Sequence, residues 1–152
     1  MGHKRRQTEM GRRARQVAAL PWRREADGSI AVLLITSRTN AKWMLPKGWA
    51  IPGKSDVESA VIEAEEEAGV TGIPSRAPIG SYFYVRQEDN GKTRPSQAVI
   101  YALEVTQELG TWDEKQQRTR RWFTAGDAAL AVFERDLARF LGKLAAGRIH
   151  LA

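Results

Sequence analysis

The sequence contains no cysteine, which excludes disulfide bonds, thiolate metal ligands and thiol nucleophiles and is compatible with a cytoplasmic protein. Histidine is almost absent too. His3 and His150 stand near opposite ends of the chain, which argues against a histidine-built zinc site or a histidine base. No apolar run approaches the ~20 residues needed to span a bilayer, and the first residues lack the apolar segment of a signal peptide, so no membrane partner is expected. Internal repeats and low-complexity segments are missing as well. What remains is a chain of 152 residues, 42% hydrophobic and 28% charged, an ordinary profile for one soluble globular domain.

The net charge of +6 is unevenly spread. Within residues 1–15, Lys4, Arg5, Arg6, Arg12, Arg13 and Arg15 face only Glu9, and the rest of the chain is nearly balanced. This predicts a basic, disordered arm over residues 1–15 and a single domain over residues 16–152. The arm has no aromatic side chain on which a base would stack, so nucleic acid is expected as a weak electrostatic partner at most.

The stretch from Gly48 to Val70 concentrates the chemistry. A loop rich in proline and glycine, Gly48 to Lys54, runs into Ser55-Asp56-Val57-Glu58, a capping box with Ser55 as N-cap. Gly69 suits the left-handed position that stops a helix, so a helix is predicted from Asp56 to Ala68. Val57, Ala60, Val61, Ala64 and Ala68 share one face, fit for packing on a sheet. Glu63, Glu66 and Glu67 lie off that face at spacings that bring their carboxylates together, where like charges repel. A solvated acidic face is the plain explanation for an isolated run of this kind. Set behind a capped start and a tight loop, three convergent carboxylates instead suit a hard cation such as Mg²⁺ or Mn²⁺.

Elsewhere the pattern predicts a first strand at Gln16 to Leu20 halted by Pro21, and a buried strand at Ser29 to Ser37. A short strand follows at Trp43 to Pro46, then, after the helix, a connector from Thr71 to Pro78. Ile79 to Gln87 and Gln97 to Thr106 form a hairpin around Asp89-Asn90-Gly91. Glu108 to Gln117 reads as a loop and Thr119 to Phe123 as a strand. Thr124 opens an alanine-rich helix that continues through Asp136 to Leu144 and ends at Gly147. Such an order predicts a mixed sheet held between helices, an α+β fold.

The Gly48–Val70 stretch resembles the Nudix box, G-x5-E-x7-R-E-U-x-E-E-x-G-U, where U is a bulky aliphatic residue. Gly48, Glu63, Glu66, Glu67, Gly69 and Val70 match; Lys54 stands where the box has glutamate and Ile62 where it has arginine. The resemblance implies an α/β/α sandwich with a mixed, curved sheet. It also implies metal binding by Glu63, Glu66, Glu67 and the backbone carbonyl of Lys47, and hydrolysis of a diphosphate linkage in a small phosphorylated molecule. A cation there neutralises the diphosphate oxygens and makes water a better nucleophile. Glu114 is the loop candidate for general base beside the box glutamates.

Substrate contacts are expected from Lys47, Lys54, Arg118 and Arg120, with Trp49, Tyr82, Tyr84 and Trp112 as stacking candidates. Arg118 and Arg120 should leave one face of their strand together. Lys54 precedes the N-cap, where the helix dipole disfavours a cation, and substrate phosphates are the expected offset. Trp112 to Phe123 and Pro46-Lys47-Gly48-Trp49 are similar to the diphosphoinositol polyphosphate phosphohydrolase branch, which also cleaves diadenosine polyphosphates. A monomer or homodimer is expected. The alternative is a non-catalytic nucleotide-binding or sensing domain, motivated by Lys54 and Ile62.

Overall fold

The structure is a computed structural model that describes residues 15–151; the arm expected over residues 1–15 lies outside the described residues apart from the backbone of Arg15. Its elements are β1 (Arg15–Arg24), β2 (Ile30–Thr36), β3 (Trp43–Met44), β4 (Lys47–Trp49) and helix α1 (Asp56–Glu63), which a π-turn (Ala64–Ala68) prolongs. There follow β5 (Val70–Pro74), β6 (Gly80–Gln87), β7 (Thr93–Glu108), β8 (Arg120–Thr124), α2 (Ala125–Ala131) and α3 (Arg135–Ala145). The strands join one sheet ordered β3-β2-β1-β7-β5, with β4 paired to β1, β6 to β7 and β8 to β2. β1 and β7 run parallel in an otherwise antiparallel sheet, so the mixed α+β sandwich expected from the sequence is the one observed.

Strand alternation divides the interior into two layers. Val17, Ala19, Leu33 and Ile35 point one way and pack on Ala60, Ala64 and Ala68 of the helical segment. Their chain neighbours Ala18, Leu20, Val32 and Leu34 point the other way, onto Leu137, Phe140, Leu141 and Leu144 of α3. The near-continuous apolar run of β2 is thereby explained: both its faces are covered.

Three boundaries differ from expectation, each for a local reason. Pro21 does not halt β1, because it falls where that strand changes partner, from β4 at Gln16–Ala18 to β2 at Trp22–Arg24. The Ala19 N–H bonds to Pro46 O on that edge, and by alternation the proline's missing N–H is aimed at the same gap. The connector expected after the helix contains β5, which among the described residues pairs with β7 alone. Its Gly72 sits at a register shift, where a Cβ would stand 1.8 Å from Glu104 O, so this edge strand requires the residue that hides it from a pattern search. Finally, the C-terminal helical stretch breaks in two at residues 132–134, with Val132 extended and bridged to Trp43.

Leu33 and Leu34 are both fully buried, on opposite faces of β2. Leu33→Ala and Leu34→Ala should each lower stability by about 2–5 kcal/mol in urea unfolding. A loss well under about 1 kcal/mol for either would mean that its layer is not packed as described.

Candidate functional site

The site begins where β4 leaves the sheet. The chain turns with the Lys54 N–H on Ile51 O at 3.0 Å and Gly53 at φ +81°, then enters α1 through a complete capping box. The Ser55 hydroxyl accepts the Glu58 N–H at 3.2 Å, and the Glu58 carboxylate accepts the Ser55 N–H at 3.0 Å. The loop is then tied to the helix by Ser59, fully buried, whose hydroxyl accepts the Ile51 N–H at 2.9 Å and donates to Ser55 O at 3.0 Å. One neutral side chain thus ties the loop to the helix, in a segment where Lys54 and Ile62 replace the glutamate and arginine of the box.

The helix does not finish as an α-helix. Ala64–Ala68 makes a π-turn in which the Gly69 N–H reaches back to Ala64 O, and Gly69 closes it at φ +65°. In an ideal α-helix residue 67 would lie about 40° round the axis from residue 63. A π-turn rotates less per residue, so Glu67 comes back over Glu63, and its charge acts on the Glu63 carboxyl. Glu67 is buried, accepts the Lys47 N–H at 3.0 Å and lies 3.6 Å from the Arg118 guanidinium. Glu63 packs so tightly on β4 that a Cβ at Gly48 would stand 2.5 Å from its carboxyl, which accounts for the glycine there. Burial, then the Glu67 charge, pushes the Glu63 carboxyl up from the ordinary 4.5 to about 8. Burial also raises Glu67, against the pull of Arg118. Glu66 is exposed, and among the described residues no three acids stand close enough to cage a metal ion.

Glu114 joins this cluster from the β7–β8 loop. Its N–H bonds to Glu66 O at 3.0 Å, and its carboxylate accepts Arg118 Nε at 2.9 Å, with Arg38 at 3.9 Å. Arg118, expected at a substrate, is a buried internal counter-ion between Glu114 and Glu67, and also donates to Thr36 O at 3.0 Å. Arg120 donates to Ala68 O, Gly69 O and Leu109 O and lies over the Trp112 ring at 4.0 Å, so it caps the helix end. Trp112 itself packs on Gly69, an arrangement that occupies the ring expected to stack a base.

Lys54 is exposed, and its charge acts on Glu58, the acid of this helix start, which is held chiefly by the Ser55 N–H. The Lys47 backbone meets Glu67 through its N–H, while its buried ammonium points to the other side of the sheet, 3.9 Å from Glu134 and 4.5 Å from the centre of the Tyr84 ring. Trp49 leaves the same side, under Arg86 at 4.8 Å. Sequence reasoning missed Ser59 and Glu134. Glu134 had a signal: it occupies the N-cap of α3, where serine, threonine, asparagine or aspartate is usual.

The paired carboxyls fit a divalent cation on chemical grounds. They are oxygen donors, and the repulsion between two carboxyls set this close is what a cation relieves. Glu63 and Glu67 would hold it, with Glu66 on the exposed rim.

A model of the NUDIX domain matches residues 12–144. Among curated proteins, the mitochondrial Nudix hydrolase 16 of Arabidopsis thaliana is 36% identical over 107 residues, 68% of this chain and 59% of that protein. Diphosphoinositol polyphosphate phosphohydrolase 3-beta of Bos taurus is 30% identical over 137 residues, 88% of this chain and 79% of that protein. The chain spans between 50% and 59% of the length of the first four Arabidopsis relatives it matches. A C. elegans Ap4A hydrolase structure aligns with a TM-score of 0.66 and 23% identity, covering 88% of this chain and 96% of that one, and shares the fold.

Because the folded state holds the Glu63 proton more tightly than the unfolded chain, metal-free stability should fall as pH rises from about 4.5 to about 8. Denaturation in a chelator at pH 5 and pH 8 measures this, and Glu63→Gln should flatten the slope; an unchanged slope would refute the raised Glu63 carboxyl. Gly48→Ala should push the Glu63 carboxyl aside and weaken Mn²⁺ binding in a calorimetric titration, whereas unaltered affinity would show that the contact at Gly48 is slack.

Proposed function

Because the chain belongs to the Nudix hydrolase family, we propose that it is a divalent-metal-dependent hydrolase of a diphosphate linkage in a small, strongly anionic substrate. The candidates are a diphosphoinositol polyphosphate, a dinucleoside polyphosphate or another nucleoside diphosphate derivative. The observation that carries this reading is the confrontation of the Glu63 and Glu67 carboxyls beneath the β4 loop. Members of the family generally use divalent metal ions, and Mg²⁺ or Mn²⁺ suits an all-oxygen donor set.

When bound, such an ion supplies charge neutralisation at the diphosphate and lowers the pKa of water. The protein's own part is positional. The Lys47 N–H and Arg118 fix one oxygen each of Glu67, so its carboxylate is oriented before anything binds. Gly48 lets Glu63 lie against the loop backbone, and Ser59 keeps that loop from drifting. Glu114 is the proposed proton acceptor, held by Arg118 in the orientation that leaves its second oxygen for water. The departures at Lys54 and Ile62 motivate a non-catalytic alternative; the hydrogen bonds by which Ser59 ties the loop to the helix support the catalytic reading in spite of them.

Turnover of a panel of nucleoside diphosphate conjugates, dinucleoside polyphosphates and diphosphoinositol polyphosphates, with and without Mg²⁺, tests the proposal. Glu67→Gln should cut kcat/KM by at least the roughly 100-fold that losing a supporting residue costs at metal centres, while the fold melts cooperatively. Metal binding without turnover of any substrate on the panel would favour the sensing alternative.

A further inference from the structure

The short strand β4 carries both backbone contacts that shape the carboxyl pair, yet among the described residues it pairs with β1 alone. Its Lys47 N–H goes not to β1 but to Glu67, at 3.0 Å. On the opposite face of the sheet, the break between α2 and α3 grips the chain that leads into this strand. Val132 is extended and bridges to Trp43, and the Phe133 ring lies 3.3 Å from the Lys42 ammonium. Glu134 comes next, 3.9 Å from the Lys47 ammonium. Glu134 serves its own helix poorly: it occupies the N-cap of α3, where glutamate is not among the favoured residues, and makes no capping hydrogen bond. Among the described residues its buried Oε2 has no hydrogen-bond partner, and Phe133 beside it stays 66% exposed. Departures from local preference concentrate where a structure serves function. Lys47 is the cation that answers Glu134, whose charge acts on it ahead of that of Glu67, while Arg86 on the same face pairs with Glu88 at 3.4 Å.

We propose that Glu134 is a positioning residue for the Glu63–Glu67 site, acting through Lys47 from the far face of the sheet. The inference rests on the reading of those two carboxyls as the divalent-cation site. The Lys47 and Glu134 side chains keep only 12% and 14% of their exposure. An ion pair between groups so poorly hydrated resists displacement, because a charge moved off its partner finds little water to replace it. The lysine stem is confined as well, with the centre of the Tyr84 ring 4.5 Å from the ammonium. With its side chain pinned to the start of α3, the Lys47 backbone keeps its height against α1, and its N–H keeps its place on Glu67. Gly48 follows directly, and the same pin holds it against the Glu63 carboxyl, where there is no room for a Cβ. Strand alternation is what makes this possible: one residue can offer its side chain to α3 while its neighbour faces α1.

Calorimetric Mn²⁺ titration and urea unfolding of Glu134→Gln test this, since the amide keeps the shape of the side chain and loses its charge. The Kd for Mn²⁺ should rise by about 10-fold to 100-fold, the loss that follows removal of a residue supporting a metal ligand, while unfolding stays cooperative. In a Lys47→Met background there is no ammonium to pin, so Glu134→Gln should change Kd no further. Should the lone charge left by a single change prevent folding, Lys47→Met combined with Glu134→Leu replaces both by apolar side chains, an exchange that buried ion pairs tolerate. Its Kd should show the same rise. Mn²⁺ affinity at the wild-type value in these variants, whatever happens to stability, would make Glu134 a structural residue only and overturn the proposal. An undiminished effect of Glu134→Gln in the Lys47→Met background would overturn it too, because the action would not pass through Lys47. If Mn²⁺ affinity falls as described but wild type hydrolyses no diphosphate, the positioning role stands and the hydrolase reading falls. A wild type with no saturable Mn²⁺ site would overturn both.

Discussion

Two carboxyl groups pressed together in a partly dry site cannot both be anions without compensation. Glu63 and Glu67 are in that position, and the neighbouring structure can be traced to it. Raising the Glu63 carboxyl to about 8 keeps it protonated at neutral pH and relieves part of the repulsion. The Lys47 N–H and Arg118 relieve more, by holding Glu67. Arg118 must then be aimed, and Glu114 and the Thr36 carbonyl aim it. The helix yields as well, exchanging its last α-turn for a π-turn that stacks the two glutamates. Such turns recur at functional sites because they place side chains an α-helix cannot.

The parts of this arrangement governed by local rules were legible in the sequence. Ser55, Glu58 and Gly69 signal the two ends of the helical segment through capping chemistry confined to a few residues, and both ends fall where expected. The π-turn was not legible, because Ala64–Ala68 has much the same propensities in either helix; what selects it is the fit of Glu67 under the β4 backbone. Arg118 and Arg120 show the same limit. Alternation indicates their shared direction, but the acceptors that engage them, on Glu67, Ala68 and Gly69, arrive from another element. Ser59 was invisible for a different reason: a small polar residue inside a helix has many ordinary explanations, and only the facing Ile51 amide singles it out.

β4 separates the carboxyl pair from the Lys47–Glu134 ion pair. Its three residues Lys47–Trp49 present glycine to the carboxyl pair and lysine and tryptophan to the opposite face, while the Lys47 amide itself holds Glu67. A shift of this strand by one residue would exchange the faces and bury a side chain where Glu63 lies. Pairing at Gln16–Ala18 fixes that register, which couples the geometry of both regions to the first strand of the sheet. Anything that alters β1 should therefore be felt on both sides at once.

The replacement of an acid and an arginine by Lys54 and Ile62 is self-consistent in this setting. A glutamate at position 54 with no arginine to receive it would add a further negative charge near a helix that already carries Glu63, Glu65, Glu66 and Glu67. Lysine adds no such charge, and the ionised acid of the capping box is steadied first by its hydrogen bonds with Ser55 and only then by the Lys54 charge. The loop is tied to the helix by Ser59, whose single hydroxyl both accepts and donates. A neutral brace has one advantage over a charged one. It adds no charge to the helix, so the compensation that Glu67 receives within the protein comes from the Lys47 N–H and from Arg118 of the β7–β8 loop.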